Sequence, residues 1–254
     1  VVDLQCNLRS WAIRRKKAPE ILRYAKHRIE KLALVWFKMR CVHIGHVAER
    51  YIQALAPLDV VDDGDGLELW LPDERGEAVY PPRMRSVPDT PALGIAPGAR
   101  HATKQWIPDN FIALAQTFQK RGWQIILLGS AAERTLCASI ARQLESSLTL
   151  DVSGSSLYDS VRAVDHCCVV VANDSAVVHL AAARRIPVVT IYGSTVPELG
   201  FTPFRVPHRV VEANVWCRPC SHIGRARCPL GHFACMRAIT PHRVIAAVEE
   251  LSRA

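Results

Sequence analysis

Residues 169–192, VVVANDSAVVHLAAARRIPVVTIY, decide the fold. A run of β-branched and small apolar residues, 167–172, ends in Asn173, Asp174 and Ser175. An apolar helical pattern follows through Val177, Val178, Leu180 and Ala181, and Pro187 breaks it before a second β-rich run, 188–192. Strand, tight turn, helix and strand make one βαβ unit, the repeat of a parallel, helix-covered sheet. Such sheets bind ligands outside the carboxyl ends of their strands, which is where Asn173, Asp174 and Ser175 fall. His179 lies four residues past Ser175, on the same helix face and one turn in. The plainer alternative is that Asp174 or Ser175 only caps the helix, worth ~1 kcal/mol. A cap needs one such residue and no histidine.

The same rhythm runs upstream. Strand 93–96 leads into the loop PGARHATK (97–104), followed by helix 111–121, strand 123–128, helix 131–144, strand 148–152 and helix 157–164. A last helix, 241–251, closes the chain. Strands alternating with helices through short loops predict a doubly wound α/β domain. The strand ends deliver polar residues in a repeated pattern: Gly98, Thr103 and Lys104; then Gly129, Ser130 and Glu133; then Asp174, Ser175 and His179. All would crowd one edge of the sheet, and their chemistry suits a nucleotide sugar. Helix N-termini and a lysine can neutralise a diphosphate. Glu133 can accept bonds from ribose hydroxyls and Asp174 can hold sugar hydroxyls. Each has a duller alternative, since Glu133 favours any helix N-terminus and Lys104 could simply be solvated. The loop is not a P-loop, and no G-x-G-x-x-G fingerprint occurs.

The net charge of +8 is concentrated near the start. Residues 9–40 hold eleven Lys and Arg against Glu20 and Glu30, a local +9, so the remainder sums to −1. Trp11, Ile21, Leu22, Tyr24, Leu32, Trp36 and Phe37 make this stretch amphipathic as well as basic. It fits an anionic membrane surface or a phosphorylated acceptor better than nucleic acid, because no nucleic-acid-binding pattern accompanies the charge. The alternative is a pair of ordinary surface helices. Beyond it come a helical pattern at 48–58, an acidic glycine turn at 62–66, a short strand at 67–71, and a proline- and charge-rich linker at 72–91. The acidic turn lacks the regular ligand spacing and closing Glu of an EF-hand, so calcium is not expected.

Hydrophobic residues make up 49% of the 254, ample for a packed core, while the longest apolar runs fall far short of a bilayer span. Residues 1–10 lack the charged and then apolar regions of a signal peptide, and the chain opens without Met on a strand-like run. We therefore expect the natural start to lie upstream. Nine cysteines in a chain this long fit a reducing cytoplasm better than a disulfide scaffold. Four are dense near the end: Cys217, Cys220, Cys228 and Cys235, with His232 among them. They could hold zinc, but Cys228 and Cys235 are seven apart where metal sites use two to four, so free thiols or a redox-labile pair packing the loop are favoured.

The runs LGIAPGARHATKQW, LLGSAAER, ANDSAVVHLAAA, IYGSTVPELGFTPF and CRPCSHIGRARCPLGHFACM together resemble glycosyltransferase family 9, the ADP-heptose:lipopolysaccharide heptosyltransferases. The resemblance covers nearly the whole chain, and VVDLQCNLRS resembles the family's fourth-strand region. It implies an α/β fold of GT-B type with two Rossmann-like domains, the N-terminal one incomplete. Residues 1–88 would be the partial acceptor-side domain with its linker, and 89–254 the donor-binding domain. It also implies an inverting, metal-independent transfer of heptose to a lipid A–core acceptor, with no cofactor, by a cytoplasmic protein peripheral on the inner membrane. By motif, Thr103 and Lys104 match the donor-phosphate loop, and Glu133 the acidic residue on the nucleotide ribose. Asp174, Ser175, Ala176 and His179 match the D-[ST]-G-x-x-H donor signature, with Ala176 replacing the usual Gly where backbone would approach the diphosphate. No residue matches the aspartate proposed as catalytic base; it is expected upstream of Val1, leaving this chain donor-binding but catalytically impaired. The competing class is a non-catalytic nucleotide-sugar-binding or partner module. An epimerase-like enzyme is disfavoured by the missing dinucleotide fingerprint and Tyr-x-x-x-Lys pair.

Overall fold

The computed structural model describes residues 1–14, 21–40, 44–72, 78–79 and 90–253. The chain forms two compact units, Val1–Asp65 with Glu198–Phe201, and Gly66–Pro197 with Thr202–Ala254. The domain boundary expected at 88 lies outside the described residues, as do most of the expected linker and residues 15–20 of the basic segment.

In the first unit, β1 (Val2–Asp3) leads through α1 (Leu8–Arg14) to β2 (Leu22–Arg23), and the two strands pair in parallel. Asp3 fixes the turn into α1: one carboxylate oxygen accepts the amides of Gln5 and Cys6 at 3.1 and 2.7 Å, the other the Ser10 hydroxyl at 2.9 Å. Helices α2 (Arg28–Phe37) and α3 (Val47–Gln53) follow. A capping box starts α3, with His46 Nδ1 accepting from Ala48 N–H and Glu49 accepting from His46 N–H. The pattern at 48–58 is thus a helix that stops at Gln53, with a separate turn of 3₁₀ helix around Pro57. Proline there removes the hydrogen bond that would carry the helix on.

The second unit is the larger. After an antiparallel pair, β3 (Leu71–Pro72) with β4 (Ala78–Val79), its chain order is β5 (Ala92–Ala96), α4 (Pro108–Gln119), β6 (Gln124–Leu127), α5 (Arg134–Ala141), β7 (Thr149–Asp151) and α6 (Leu157–Asp165). Then come β8 (Val169–Asn173), α7 (Ala176–Ala183), β9 (Val188–Tyr192), β10 (His208–Glu212), α8 (Ala234–Arg237) and α9 (Pro241–Ser252). The strand expected at 67–71 is not formed; only Leu71 and Pro72 pair, because residues 67–70 have no partner strand within the described residues. The six long-sheet strands are all parallel and lie in the order β7-β6-β5-β8-β9-β10. This is the doubly wound Rossmann order, which reverses between β5 and β8. The sequence reading did not assign β10. It is as long as β5, β8 and β9, but HRVVE has polar or charged residues at both ends and buries only Val211, because it forms an edge by pairing with β9 alone.

Burial explains why the central strands read as unbroken apolar runs. Leu93, Ile95, Ile125, Leu127, Val169, Val171, Val189 and Ile191 face one way, against Phe111, Leu114 and Phe118 of α4 and Val244 and Val248 of α9. Alternate residues Ile126, Leu128, Val170, Ala172 and Val188 face the other, against Val164, Val178 and Ala181. Gly94 sits in the middle of β5 for a packing reason: a Cβ there would stand 2.8 Å from Cys167 Sγ and 3.0 Å from a Val170 methyl.

Candidate functional site at the sheet's carboxyl rim

The point where strand order reverses, between β5 and β8, is held together by one buried side chain. Asn173, the last residue of β8, is fully buried. Its Nδ2 donates to the carbonyls of Pro97 at 2.8 Å and Gly98 at 3.3 Å, and its Oδ1 accepts the Trp106 amide at 3.0 Å. Both ends of the loop after β5 are thereby tied to the end of β8. Trp106 is buried in turn and donates its indole N–H to the Ile239 carbonyl at 2.9 Å.

The tie brings Lys104 to Asp174. Lys104 Nζ lies 2.7 Å from Asp174 Oδ2, and both side chains are sheltered, at 15% and 12% exposure. An ion pair removed this far from water is less screened than a surface pair. Thr195, just past β9, donates its hydroxyl to the same Asp174 oxygen at 2.7 Å. The capping alternative is thus resolved. Ser175 occupies the N-cap position of α7 with no capping bond from its side chain, and Asp174 spends an oxygen on Lys104 and Thr195. The Ser175 hydroxyl is buried without a hydrogen-bond partner. Ala176 is the exposed first residue of α7, and His179 lies half-buried three residues on.

Glu133 joins from β6. One carboxylate oxygen accepts the Ser130 amide at 2.7 Å and the Ser130 hydroxyl at 2.9 Å, forming a capping box before α5. The other oxygen presses on Gly98, where any Cβ would overlap it, so only glycine lets the two loops meet. Lys104 and Glu133 therefore border the same loop from its two ends.

Thr103 sits differently from its neighbour. It is 2% exposed, and its hydroxyl donates to the Arg225 carbonyl at 3.1 Å while accepting the Arg225 amide at 2.8 Å and the Ser194 hydroxyl at 2.9 Å. Those three bonds fill it, so this side chain anchors the loop from inside. Gly193 permits that approach, since a Cβ there would stand 2.7 Å from the Thr103 carbonyl oxygen. Arg218, also buried, donates to the Gly193, Ala213 and Thr195 carbonyls at 2.5–2.9 Å and pairs with Glu212 at 2.9 Å. Thr195, Ser194, Arg218 and Arg225 were not singled out from sequence. The one available signal was that Ser194 and Thr195 end a strand at the same rim.

Behind Thr103, Cys217, Cys220, Cys228, His232 and Cys235 line a cavity of about 30 Å³. Cys217 Sγ is 3.8 Å from His232 Nε2. Among the described residues the cysteines are unbridged, and no three His, Cys, Asp or Glu side chains converge as a metal site. Burial pushes the Cys235 thiol up to about 11, so near neutrality it packs as an uncharged group.

The six-stranded parallel sheet in Rossmann order, with its polar rim at the switch point, is an α/β architecture of the GT-B type, as the sequence led us to expect. Residues 1–230 match the model of glycosyltransferase family 9 (heptosyltransferase), and the chain belongs to that family. It is 28% identical over 191 residues to lipopolysaccharide heptosyltransferase 3 of Escherichia coli K12, across 71% of this chain and 53% of that protein. The solved structure of E. coli ADP-heptose lipopolysaccharide heptosyltransferase II is 27% identical, with a TM-score of 0.55 over 65% of this chain and 47% of its own. A family 9 glycosyltransferase from Veillonella parvula shares the fold at a TM-score of 0.72, over all of this chain and 73% of its own, at 18% identity. The chain spans about half the length of the curated relatives it matches.

The stitching role of Asn173 makes a direct prediction. Asn173→Ala would leave the Trp106 amide and the Pro97 carbonyl buried without partners, destabilising the chain by about 2–4 kcal/mol. Urea denaturation measures this, and a loss below about 1 kcal/mol would show that the loop does not depend on Asn173.

Proposed function

We propose that this chain contributes the donor-binding half of an inverting glycosyltransferase that moves a heptose from ADP-heptose to an anionic lipopolysaccharide-core acceptor. The observation that carries the reading is the Lys104–Asp174 pair at the switch point of a Rossmann sheet, with Glu133 bordering the same loop. Membership of a family described as heptosyltransferase, and 27% identity to an E. coli protein named for ADP-heptose, support the choice of sugar and nucleotide.

In this reading Lys104 and the N-terminus of α7 meet the diphosphate, stabilising the charge that grows on the leaving nucleoside diphosphate. The incoming phosphates compete with Asp174 for the lysine, freeing the carboxylate to accept sugar hydroxyls beside Thr195. Glu133 takes the ribose hydroxyls from its place against Gly98. Ser175, whose hydroxyl lacks a partner, and His179 complete the donor contacts, and the Ala176 methyl narrows the approach of backbone to phosphate. Thr103 acts from within, holding Lys104 in place. Residues 9–40 serve the acceptor and the anionic membrane that carries it. On α2, Ile29, Trp36 and Phe37 are 74–80% exposed alongside Arg28, a helix face suited to a lipid interface. No helix among the described residues is long and apolar enough to cross a membrane.

Calorimetry with ADP and ADP-heptose tests the donor site. Lys104→Ala weakens both ligands about tenfold or more, whereas Asp174→Ala weakens ADP-heptose, which loses its sugar contacts, by about tenfold and leaves ADP no weaker, because the competitor for Lys104 is gone. Equal affinities in wild type and both variants would remove the pair from the site. Vesicle flotation tests the basic segment: anionic vesicles retain the protein at low salt and release it at high salt, because surface charge attraction is screened. Retention indifferent to both lipid charge and salt contradicts this role.

A further inference from the structure

The first unit holds a concentration of positive charge that its own carboxylates leave unanswered. Arg50, in α3, is only 3% exposed, yet its Nε and Nη2 are buried without a hydrogen-bond partner. Its remaining nitrogen, Nη1, donates to the Ala25 carbonyl at 3.2 Å. Tyr24 lies beneath the guanidinium at 5.7 Å from ring centroid to Cζ, and Tyr51 meets Tyr24 edge-on at 4.9 Å. Lys31, on α2, is half-buried with its ammonium 5.8 Å from the Phe201 ring centroid. Lys26, also half-buried, reaches the Cys6 carbonyl at 2.8 Å.

Arg50 is bonded to Ala25, the neighbour of Lys26, and Lys31 feels the charge of both Arg50 and Lys26. Burial first, and then repulsion from Arg50 and Lys26, lowers the Lys31 ammonium below its ordinary range. Burial likewise lowers Arg50, against the opposing pull of Tyr24 and Tyr51. The acids of the unit point elsewhere: Glu30 to His27, Glu49 to the His46 amide, Asp3 to the Gln5 and Cys6 amides, and Glu198 through one oxygen to Arg40, its other oxygen being buried without a partner. Among the described residues no carboxylate pairs with Arg50, Lys31 or Lys26. Buried guanidinium nitrogens are ordinarily satisfied, and a planar fork with two open N–H positions matches two oxygens of a tetrahedral oxyanion.

We propose that Arg50, Lys31 and Lys26 form a binding site for a phosphomonoester dianion, with Arg50 as its buried bidentate anchor and Lys31 as its entrance. The site belongs to the first unit alone; it rests on the acceptor role proposed for residues 9–40 and is independent of the donor pocket. A dianion there cancels the mutual repulsion of the three side chains, so binding tightens the unit as well as filling it.

Calorimetry of the whole chain with inorganic phosphate, with and without saturating ADP, reads the site separately from any diphosphate pocket. One saturable phosphate site that persists in ADP is expected, weakened at least tenfold in Lys31→Gln and lost in Arg50→Gln, with ADP affinity unchanged in both. Arg50→Gln could fail to fold, and the partly exposed Lys31→Gln then decides alone. Flotation with neutral vesicles carrying lipid A, a phosphomonoester lipid, identifies the source. Retention displaced by free phosphate assigns the site to a lipid-borne phosphate; phosphate binding without such displacement assigns it to a soluble one. Absence of a saturable phosphate site, or undiminished affinity in Lys31→Gln, overturns the proposal. A chain that binds phosphate here but never ADP would keep this site and remove the transferase reading.

Discussion

A buried amide side chain, Asn173, holds the candidate site together. A parallel sheet delivers its loops to one edge, but it does not by itself fix where the long loop between β5 and α4 will place a lysine. Asn173 does so by answering two carbonyls at one end of the loop and an amide at the other. In a fully buried position each of these groups would be costly to leave unpaired, so the loop has one low-energy arrangement. Thr103 and Arg225 secure its middle, and Lys104 is then presented to Asp174. The charged pair is therefore a consequence of neutral hydrogen bonds deeper in the fold.

The second unit was legible because its physics is periodic. Strands covered on both faces read as apolar runs, helices between them as amphipathic patterns, and the polar residues at their junctions as a rim. The D-S-A-x-x-H and PGARHATK motifs marked where that rim would carry chemistry. Partner choice was not legible. Nothing in the spacing showed that Thr103 would turn inward while Lys104, its neighbour, faced the rim. Nor did it show that Thr195, twenty-one positions from Asp174, would donate to it. Gly98 illustrates the limit well: a glycine in a loop is unremarkable until the Glu133 carboxylate is found occupying the space of its missing Cβ. Edge elements escaped for a related reason: HRVVE of β10 lacks the unbroken apolar run of the covered strands, and the two-residue β3 and β4 carry too little pattern to separate a strand from a loop.

The first unit follows a different balance. Its fully buried apolar residues among those described are few, Leu34, Ile44 and Leu199, while much of the apolar face of α2 remains exposed. Its buried positions instead include Arg50 and Asp3. Asp3 is satisfied by backbone amides, whereas Arg50 keeps two nitrogens open. The two units thus differ in chemistry: one holds a paired cation and carboxylate at its sheet rim, the other a surplus of cations beside apolar surface.

Whether the loops after β5 and β8 meet one nucleotide sugar together, as proposed, is decided by a double-mutant cycle on ADP-heptose affinity, using Lys104→Ala, Asp174→Ala and the double variant. Contact through a shared ligand predicts a coupling of about 1 kcal/mol or more, so the double variant departs clearly from the sum of the single losses. Losses that add to within ~0.3 kcal/mol would mean the two side chains act independently, and the single-site account would be wrong.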